Sequence, residues 1–141
     1  MEDTQFYHST PVQIRFNDID LLGHVNNAVI NEYFDLGRMH YMQDTFGGQI
    51  FNGEAALIIA SIHTDFIVPV YLKENLLVKT AIVHLGNKSL KMEQQLTDKF
   101  TGDVKAVCKS VMVAIDKVKT ESITILPEWR AVIAQQEQKV L

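Results

Sequence analysis

A short polar run, residues 17–27, concentrates the side chains of this chain that could perform chemistry. Two carboxylates, Asp18 and Asp20, stand ahead of Gly23, His24 and a pair of asparagines. A helical pattern follows, and the free N–H groups at the start of a helix can stabilise an oxyanion. A carboxylate beside such a helix start can attack an electrophile or deprotonate a nucleophile.

The charged side chains of this run can also serve purely structural roles. Most aspartates ahead of a helix are turn or capping residues, and Asp20 could be one of them. We expect Asp18 to be structural, paired with a backbone N–H or with the nearby Arg15. His24 can line a site, orient Asp20, or simply pack with its ring hydrogen-bonded. Residue types and spacing make Asp20 the candidate for chemistry and leave His24 undecided.

A second pair of polar side chains, His63 and Asp65, occupies alternate positions of a predicted strand and therefore shares one face of it. A catalytic zinc site takes three protein ligands, and the sequence offers no identifiable third partner for this pair. We therefore predict no metal, and His63 remains a residue that could line a site.

The elements that must position the polar run lie on either side of it. Residues 12–16 alternate apolar and polar, which predicts a half-buried strand. Asn26 or Asn27 is suited to cap a helix. From residue 28 to about residue 44, apolar side chains recur at steps of three and four, and Gly47 ends the pattern. The sequence therefore predicts one long helix directly after the polar run.

Strands dominate the remainder of the chain. The β-rich segments are separated by turn signals and are followed by a short helix at Pro127; they are residues 55–70, 76–85, 89–96 and 104–115. One long helix laid across an antiparallel sheet is an α+β architecture. There is no internal repeat or linker, so we expect one domain over residues 1–141.

The last predicted strand is apolar on both faces. One face carries Val107, Val111, Val113 and Ile115, and the other Ala106, Cys108, Met112 and Ala114. A single helix covers only one face of a sheet, so a second subunit is the economical cover for the other.

Composition and charge limit the classes of protein to which this chain can belong. The 141 residues carry a net charge of −4, which argues against a general nucleic-acid binder. Residues 61–120 hold nine lysines against six acids, either as a cationic rim for an anionic ligand or scattered over exposed strands. A single cysteine, Cys108, suits a reducing compartment. With no signal pattern and no apolar run long enough for a membrane span, we expect a cytoplasmic protein without membrane insertion.

Several segments together carry a family resemblance. The most specific are Arg15-Phe16, Asp18, Asp20, Gly23-His24-Val25-Asn26-Asn27-Ala28 and Tyr33-Phe34-Asp35 through Arg38. The supporting segments are Asp65-Phe66-Ile67-Val68-Pro69, Gly86-Asn87-Lys88-Ser89-Leu90, Val113-Ala114-Ile115-Asp116 and Leu126-Pro127. In this order they resemble the 4-hydroxybenzoyl-CoA thioesterase family, a hotdog-fold family of acyl-CoA thioesterases. The resemblance covers residues 11–133.

The resemblance implies a particular fold and assembly. We expect a hotdog domain with its core at residues 11–133, in which an antiparallel five-stranded sheet wraps around one long central helix. Paired subunits would form a homodimer with a continuous sheet and active sites at the subunit interface. The pairing of such dimers into a homotetramer stays open.

The resemblance also implies roles, residue by residue. It assigns the catalytic carboxylate to Asp20 and the oxyanion donor to the backbone N–H of Asn27. His24, from its place in the polar run, is a further candidate for a catalytic role. As nucleophile or as general base, Asp20 would serve the same hydrolysis. No cofactor is implied. Substrate contacts are implied for Gly23, and contacts to the pantetheine arm or phosphates of acyl-CoA for Asn87, Lys88 and Ser89, which could otherwise simply form a hairpin turn. His63, from its strand position alone, is a further candidate to line the site.

Three positions depart from the family pattern and concern the acyl pocket. Ile30 stands where tyrosine is frequent, Gly37 where alanine is usual, and Val68 where arginine is common. The expected reaction is hydrolysis of an acyl-CoA to a free acid and CoA. Acyl-carrier-protein thioesters are an alternative substrate class. A hotdog hydratase or dehydratase and a non-catalytic acyl-CoA-binding protein are the rival functions.

Overall fold

A computed structural model describes residues 3–141 of the chain. Its elements in chain order are β1 (His8–Val12), a 3₁₀ turn (Phe16–Asp18), α1 (Asn27–Phe46), α2 (Gln49–Asn52), β2 (Ala55–Phe66), β3 (Leu76–Leu85), β4 (Ser89–Asp98), β5 (Val104–Asp116), β6 (Glu121–Ser122) and α3 (Pro127–Glu137). None of the described helices combines the length and apolar character that crossing a membrane requires.

The strands form one antiparallel sheet in the order β1-β3-β4-β5-β2, and β6 pairs with the end of β5. Hairpins join β3, β4 and β5. The chain crosses over between β2 and β3, because β2 pairs with β5 and lies at an edge. The long helix α1 packs on one face of this sheet. The predicted α+β architecture, a sheet around one long helix, is confirmed.

The helix α1 begins and ends where its sequence predicts. The side-chain oxygen of Asn26 accepts the backbone N–H of Ala28 at 2.8 Å, which caps the first turn. Gly47 ends the helix with a φ of +74°, a conformation that favours glycine. At Gly37 the helix approaches β3 so closely that an added Cβ would collide with Val78. The helix is therefore seated directly on the sheet.

Two apolar clusters fill the core. The first lies under the N-terminal half of α1 and consists of Val12, Val25, Ile30, Tyr33, Phe34, Val70, Leu76, Val78, Leu96, Ala106 and Cys108. The second lies under the C-terminal half of α1 and under α3; it consists of Tyr41, Met42, Ile50, Ile82, Leu90, Met92, Met112, Ala114, Ile125, Trp129 and Ile133. The terminal helix α3 thus covers part of the sheet beside α1.

The first strand differs from its prediction. The alternation over residues 12–16 predicts a strand, whereas β1 ends at Val12 and a 3₁₀ turn follows. The cause is the carboxylate of Asp18, which accepts the backbone N–H of Arg15 and closes a turn there. The four-residue α2 and the two-residue β6 were not predicted, because such short elements leave little periodicity.

The edge strand β2 leaves apolar surface uncovered. Its pairing with β5 places Ile59, Ile62 and Phe66 on the α1 face of the sheet, yet their exposed fractions are 38%, 47% and 41%. On the opposite face Ile58 is also exposed. In β5, by contrast, the predicted division into two apolar faces is confirmed, with the α1 face buried and the outer face only half-buried.

Candidate active site

Asp18 is buried and holds the polar run in place through hydrogen bonds. It is 2% exposed and accepts the Arg15 backbone N–H at 2.9 Å, the Arg15 guanidinium at 3.0 and 3.2 Å, and the Tyr33 hydroxyl at 2.5 Å. Burial raises the pKa of Asp18, but the hydrogen bonds from Tyr33 and Arg15 outweigh burial and hold that pKa below its usual value. All of these contacts favour a structural carboxylate that is ionised at neutral pH, and the structural role is as predicted.

Asp20 lies two residues further on and is held quite differently. Its backbone N–H donates to the carbonyl of His24, and the N–H of Gly23 donates to the carbonyl of Asp20, both at 3.0 Å. Gly23 closes this loop with a φ of +86°, where a side chain would be strained.

The Asp20 carboxylate is anchored through one oxygen. Oδ1 accepts the backbone N–H of Leu22 at 2.9 Å, and within residues 3–141 no donor is bonded to Oδ2. The side chain is half-buried, so the second oxygen can still accept a proton or attack an electrophile.

The start of α1 supplies a free donor next to this loop. Asn27 is the first residue of α1, and its backbone N–H bonds no acceptor in the described part of the chain. The cap residue Asn26 uses its side chain on Ala28 and its own N–H on the carbonyl of Asp18 at 3.0 Å. The N–H of Asn27 is therefore left at the positive end of the helix dipole.

A shallow pocket opens at this helix start. Its volume is about 150 Å³, and it is lined by His24, Val25, Asn27, Ile30 and residues 66–70. Pockets that enclose a drug-sized ligand measure roughly 300–1,000 Å³. This pocket alone therefore does not enclose an acyl group together with its pantetheine arm.

A polar link ties this helix start to β2. The hydroxyl of Thr64 donates to Oδ1 of Asn31 at 2.7 Å, and Nδ2 of Asn31 lies 3.4 Å from the carbonyl of Asn27. Sequence reasoning missed both residues. The only signal was an asparagine one turn after the predicted helix start, and its strand partner is 33 positions away.

Both the backbone and the ring of His24 contribute to this site. Its carbonyl fixes the loop of Asp20, and its ring lines the small pocket and packs edge-on against Tyr71 with centroids 6.5 Å apart. In the described residues the ring makes no hydrogen bond to Asp20. A catalytic role for His24 therefore stays a prediction.

The turn of Asn87, Lys88 and Ser89 lies at the other end of the sheet from Asp20. The carbonyl of Lys88 accepts the N–H of Ala114, which is paired with Leu57 near the start of β2. The small pocket lies at the opposite end of β2, which pairs with β5 around Ala106. Eight residues of β5 span about 26 Å, so one chain does not bring Lys88 to Asp20.

Arg130 was not among the predicted site residues, yet it adds a second cation at this turn. Its guanidinium donates to the carbonyl of Gly86 and lies 3.4 Å from that of Asn87.

His63 faces away from α1. Thr64 points towards the helix, so its neighbours His63 and Asp65 lie on the outer face of the sheet, with Nε2 and Oδ1 3.1 Å apart. The structure thus separates His63 from the loop of Asp20 within one chain. Nowhere in residues 3–141 do three or more metal-binding side chains cluster.

The sequence and the fold of the chain also resemble those of known proteins. The family model described as "Thioesterase-like superfamily" matches residues 14–136. The chain belongs to this superfamily. It is a hotdog-fold thioester hydrolase, which confirms the expected fold and enzyme class. No curated protein matches the chain.

Several solved structures resemble the chain closely. A thioesterase from Thermus thermophilus, complexed with coenzyme A and zinc, is 30% identical, with 96% of this chain and 98% of that one covered and a TM-score of 0.85. The PA5185 protein of Pseudomonas aeruginosa PAO1 is 26% identical, with 94% and 92% covered and a TM-score of 0.84. YbaW, a probable thioesterase of Escherichia coli, is 23% identical, with 94% and 98% covered and a TM-score of 0.81, and shares the fold.

Proposed function

We propose that this protein hydrolyses acyl-CoA thioesters, with Asp20 as nucleophile or general base and the N–H of Asn27 as oxyanion donor. The observation that carries the proposal is the half-buried Asp20 carboxylate, which is anchored through one oxygen and leaves the other without a donor among the described residues, in the loop that leads to the unbonded N–H at the start of α1. The Thermus thioesterase was solved with coenzyme A bound, which supports CoA as the carrier.

The reaction follows from these two groups. As a base, Asp20 takes a proton from water, and the water oxygen bonds to the carbonyl carbon. The N–H of Asn27 stabilises the negative charge that develops on the carbonyl oxygen. The C–S bond then breaks, and the CoA thiolate takes up the proton. As a nucleophile, Asp20 would instead form a mixed anhydride that water cleaves in a second step.

A second copy of the chain completes the site in this proposal. The edge of β2 is open, and Ile58, Ile59 and Ile62 are exposed along it. Exposed edges of this kind pair with another strand, and a two-fold interface pairs β2 with its own copy antiparallel. A homodimer with a continuous sheet therefore covers this surface.

The same pairing brings Lys88 towards the reactive loop. In one chain the turn at Lys88 lies near the Leu57 end of β2, far from Asp20. Antiparallel pairing sets that end beside the Phe66 end of the partner strand. Lys88 of one subunit would then serve the Asp20 of the other, as a charge partner for the CoA phosphates.

Thiol release from a panel of acyl-CoAs tests the proposal, with wild type compared with Asp20→Asn. The variant is expected to lose at least about 100-fold in kcat, since an amide neither accepts a proton nor attacks as a carboxylate does. Asp103→Asn, at an exposed turn, is the matched control and should keep full activity.

Unchanged turnover by a folded Asp20→Asn protein would refute the proposed chemistry. Hydration of crotonyl-CoA without thiol release would identify a hydratase instead. Tight acyl-CoA binding with no turnover would identify a binding protein. Faster release from acyl-carrier-protein thioesters than from acyl-CoA would reassign the carrier.

A further inference from the structure

A second, larger and mainly apolar cavity has no part in the site described so far. It measures about 530 Å³ and lies between the end of α1, the start of β2 and the start of α3. Its apolar wall consists of Phe46, Ile50, Ala55, Leu126, Trp129 and Val132. Phe46 and Trp129 pack edge-to-face with ring centroids 6.0 Å apart, which gives the cavity an aromatic floor. The volume falls within the range of ligand-binding pockets.

This cavity lies on the same face of the sheet as the reactive loop. Leu57 and Phe66 pair with Ala114 and Ala106, both of which are buried under the helices. Ala55, two residues before Leu57, shares that face. The cavity at Ala55 and the small pocket at Phe66 therefore open on one side of the sheet, at opposite ends of β2.

Antiparallel pairing of β2 with its own copy would join the two openings. The pairing places the Ala55 end of one strand beside the Phe66 end of the other, about 5 Å away across the ladder. Phe66 lines the pocket that contains Asn27, and Ala55 lines the large cavity. The pocket of about 150 Å³, too small alone, would then continue into about 530 Å³ supplied by the partner.

We propose that the acyl group of the substrate occupies the partner's cavity between α1, β2 and α3 while the reactive loop cleaves its thioester. This inference rests on the proposed thioesterase function and on the proposed pairing of β2. It makes the terminal helix α3 a wall of the acyl site, through Trp129 and Val132.

The chemistry of the cavity selects a substrate class. An apolar wall with aromatic rings binds aliphatic or aromatic acyl groups through burial of their surface. Two carboxylates, Glu54 and Glu128, stand among the described lining residues, none of which is basic. Like charges repel, so acyl groups that carry a second carboxylate, such as succinyl, are rejected. The preferred substrates are uncharged acyl groups of medium length or with an aromatic ring.

Cavity filling tests the assignment. Val132→Trp is expected to lower the ratio of kcat/KM for decanoyl-CoA to that for butyryl-CoA by about 10- to 100-fold, because the longer chain loses its pocket. Val118→Trp, on an exposed turn, is the matched control and leaves the ratio unchanged. Glu54→Gln with Glu128→Gln is expected to raise succinyl-CoA hydrolysis. An unchanged decanoyl-to-butyryl ratio in Val132→Trp overturns the assignment.

A mixed dimer tests whether the cavity serves the partner's Asp20. One subunit carries Asp20→Asn and the other Val132→Trp, and differently tagged chains isolate the mixed species. If the cavity serves the partner, the intact Asp20 faces the intact cavity, and the mixed dimer keeps about half of wild-type decanoyl-CoA turnover. If the cavity serves its own subunit, both sites are crippled and this turnover is lost, which refutes the inference.

The two levels of proposal fail in distinguishable ways. Hydrolysis of butyryl-CoA by wild type, sensitive to Asp20→Asn, upholds the thioesterase function even when Val132→Trp changes nothing. Absence of thiol release from every acyl-CoA refutes both. Thermal unfolding of each variant shows whether an inactive protein is still folded. A destabilised Val132→Trp is replaced by Val132→Phe, which narrows the same cavity with a smaller ring and is held to the same criterion, an unchanged ratio overturning the assignment.

Discussion

The two ends of α1 differ in what they offer a substrate. The N-terminal end combines Asp20, an unbonded helix N–H and a pocket of about 150 Å³. The C-terminal end borders a cavity of about 530 Å³, whose lining includes the carboxylates of Glu54 and Glu128. The N-terminal end thus has little room, whereas the C-terminal end borders ample apolar space. In the proposed dimer, a complete site combines one end from each of two antiparallel subunits.

Each end also holds a buried carboxylate, and the pKa values of the two carboxylates are shifted in opposite directions. At the N-terminal end, donors from Arg15 and Tyr33 hold the pKa of Asp18 low. At the C-terminal end, burial raises the pKa of Glu137, although it accepts the backbone N–H of Ile82 and the hydroxyl of Tyr41, both at 3.1 Å. Several donors therefore stabilise the charge of Asp18 at the N-terminal end of α1, whereas only two in the described part of the chain stabilise that of Glu137 at the C-terminal end.

The largest expected effect in this comparison concerns Asp18. Asp18→Asn should lower the free energy of unfolding by about 2 kcal/mol, because charge-assisted hydrogen bonds from Arg15 and Tyr33 are lost. Urea denaturation at pH 7 measures this change, and Asp20→Asn serves as the neighbour that should alter stability far less. Equal loss in both variants would erase the distinction between the two aspartates.

The same carboxylate predicts a pH dependence. The folded-state pKa of Asp18 is lowered, so its stabilisation is present above its unfolded-state pKa of about 4 and is lost as the pH falls through the folded-state value. The difference between wild type and Asp18→Asn should therefore shrink on acidification. A difference that stays constant from pH 7 to pH 3 would contradict the assigned charge.

The second effect concerns the link from Thr64 to Asn31. Thr64→Val keeps the shape of the side chain but removes the donor, so the first turn of α1 loses its tie to β2. We expect kcat to fall about 10-fold with little change in KM, because the misplaced N–H matters mainly in the transition state. Thr64→Ser, which keeps the hydroxyl, should restore kcat. A matching loss in Thr64→Ser would show that packing, not the hydrogen bond, matters.

A smaller effect is expected at Lys88. Lys88→Ala should raise KM for acyl-CoA about 3-fold, since an exposed ion pair contributes less than about 1 kcal/mol. The change should vanish with acyl-pantetheine substrates, which lack the phosphates of CoA, and should weaken at high salt. Lys139→Ala, an exposed lysine in the C-terminal segment, is the control. An equal KM change with both carriers would exclude a phosphate contact.

The smallest effect is expected at Glu137. Its folded-state pKa is raised, so its ionised form costs stability, and that cost disappears as the pH falls through the raised value. The stability of Glu137→Gln relative to wild type should therefore increase as the pH rises from 4 to 7. Urea titrations across this range test the sign, and a decrease would contradict the burial argument.

Local signals explain what the sequence predicts well. The bounds of α1 follow from a cap at Asn26 and a left-handed end at Gly47, both of which depend on near neighbours. The strand Leu76–Leu85 was predicted with its observed bounds for the same reason. The structural pairing of Asp18 with Arg15, three residues away, could likewise be predicted from the local sequence.

Contacts between distant segments could not be predicted from the sequence. The sequence did not predict that β2 pairs with β5 across the whole of β3 and β4, because strand alternation specifies a face but no partner. The bond between Thr64 and Asn31 depends on that pairing. The large cavity combines three separate segments of chain, so its lining has no local signature. The resemblance therefore pointed to Asp20 and Asn27 without showing what encloses them.

The open edge of β2 has a consequence for the enzyme at low concentration. Twelve residues of unpaired edge, Ala55–Phe66, are the surface through which the proposed subunits associate. Association obeys mass action, so dilution below the dimer dissociation constant separates reactive loops from their acyl pockets. Activity per milligram of protein should then fall on dilution and recover on reconcentration. The abundance of the chain itself would thus set how much working enzyme exists.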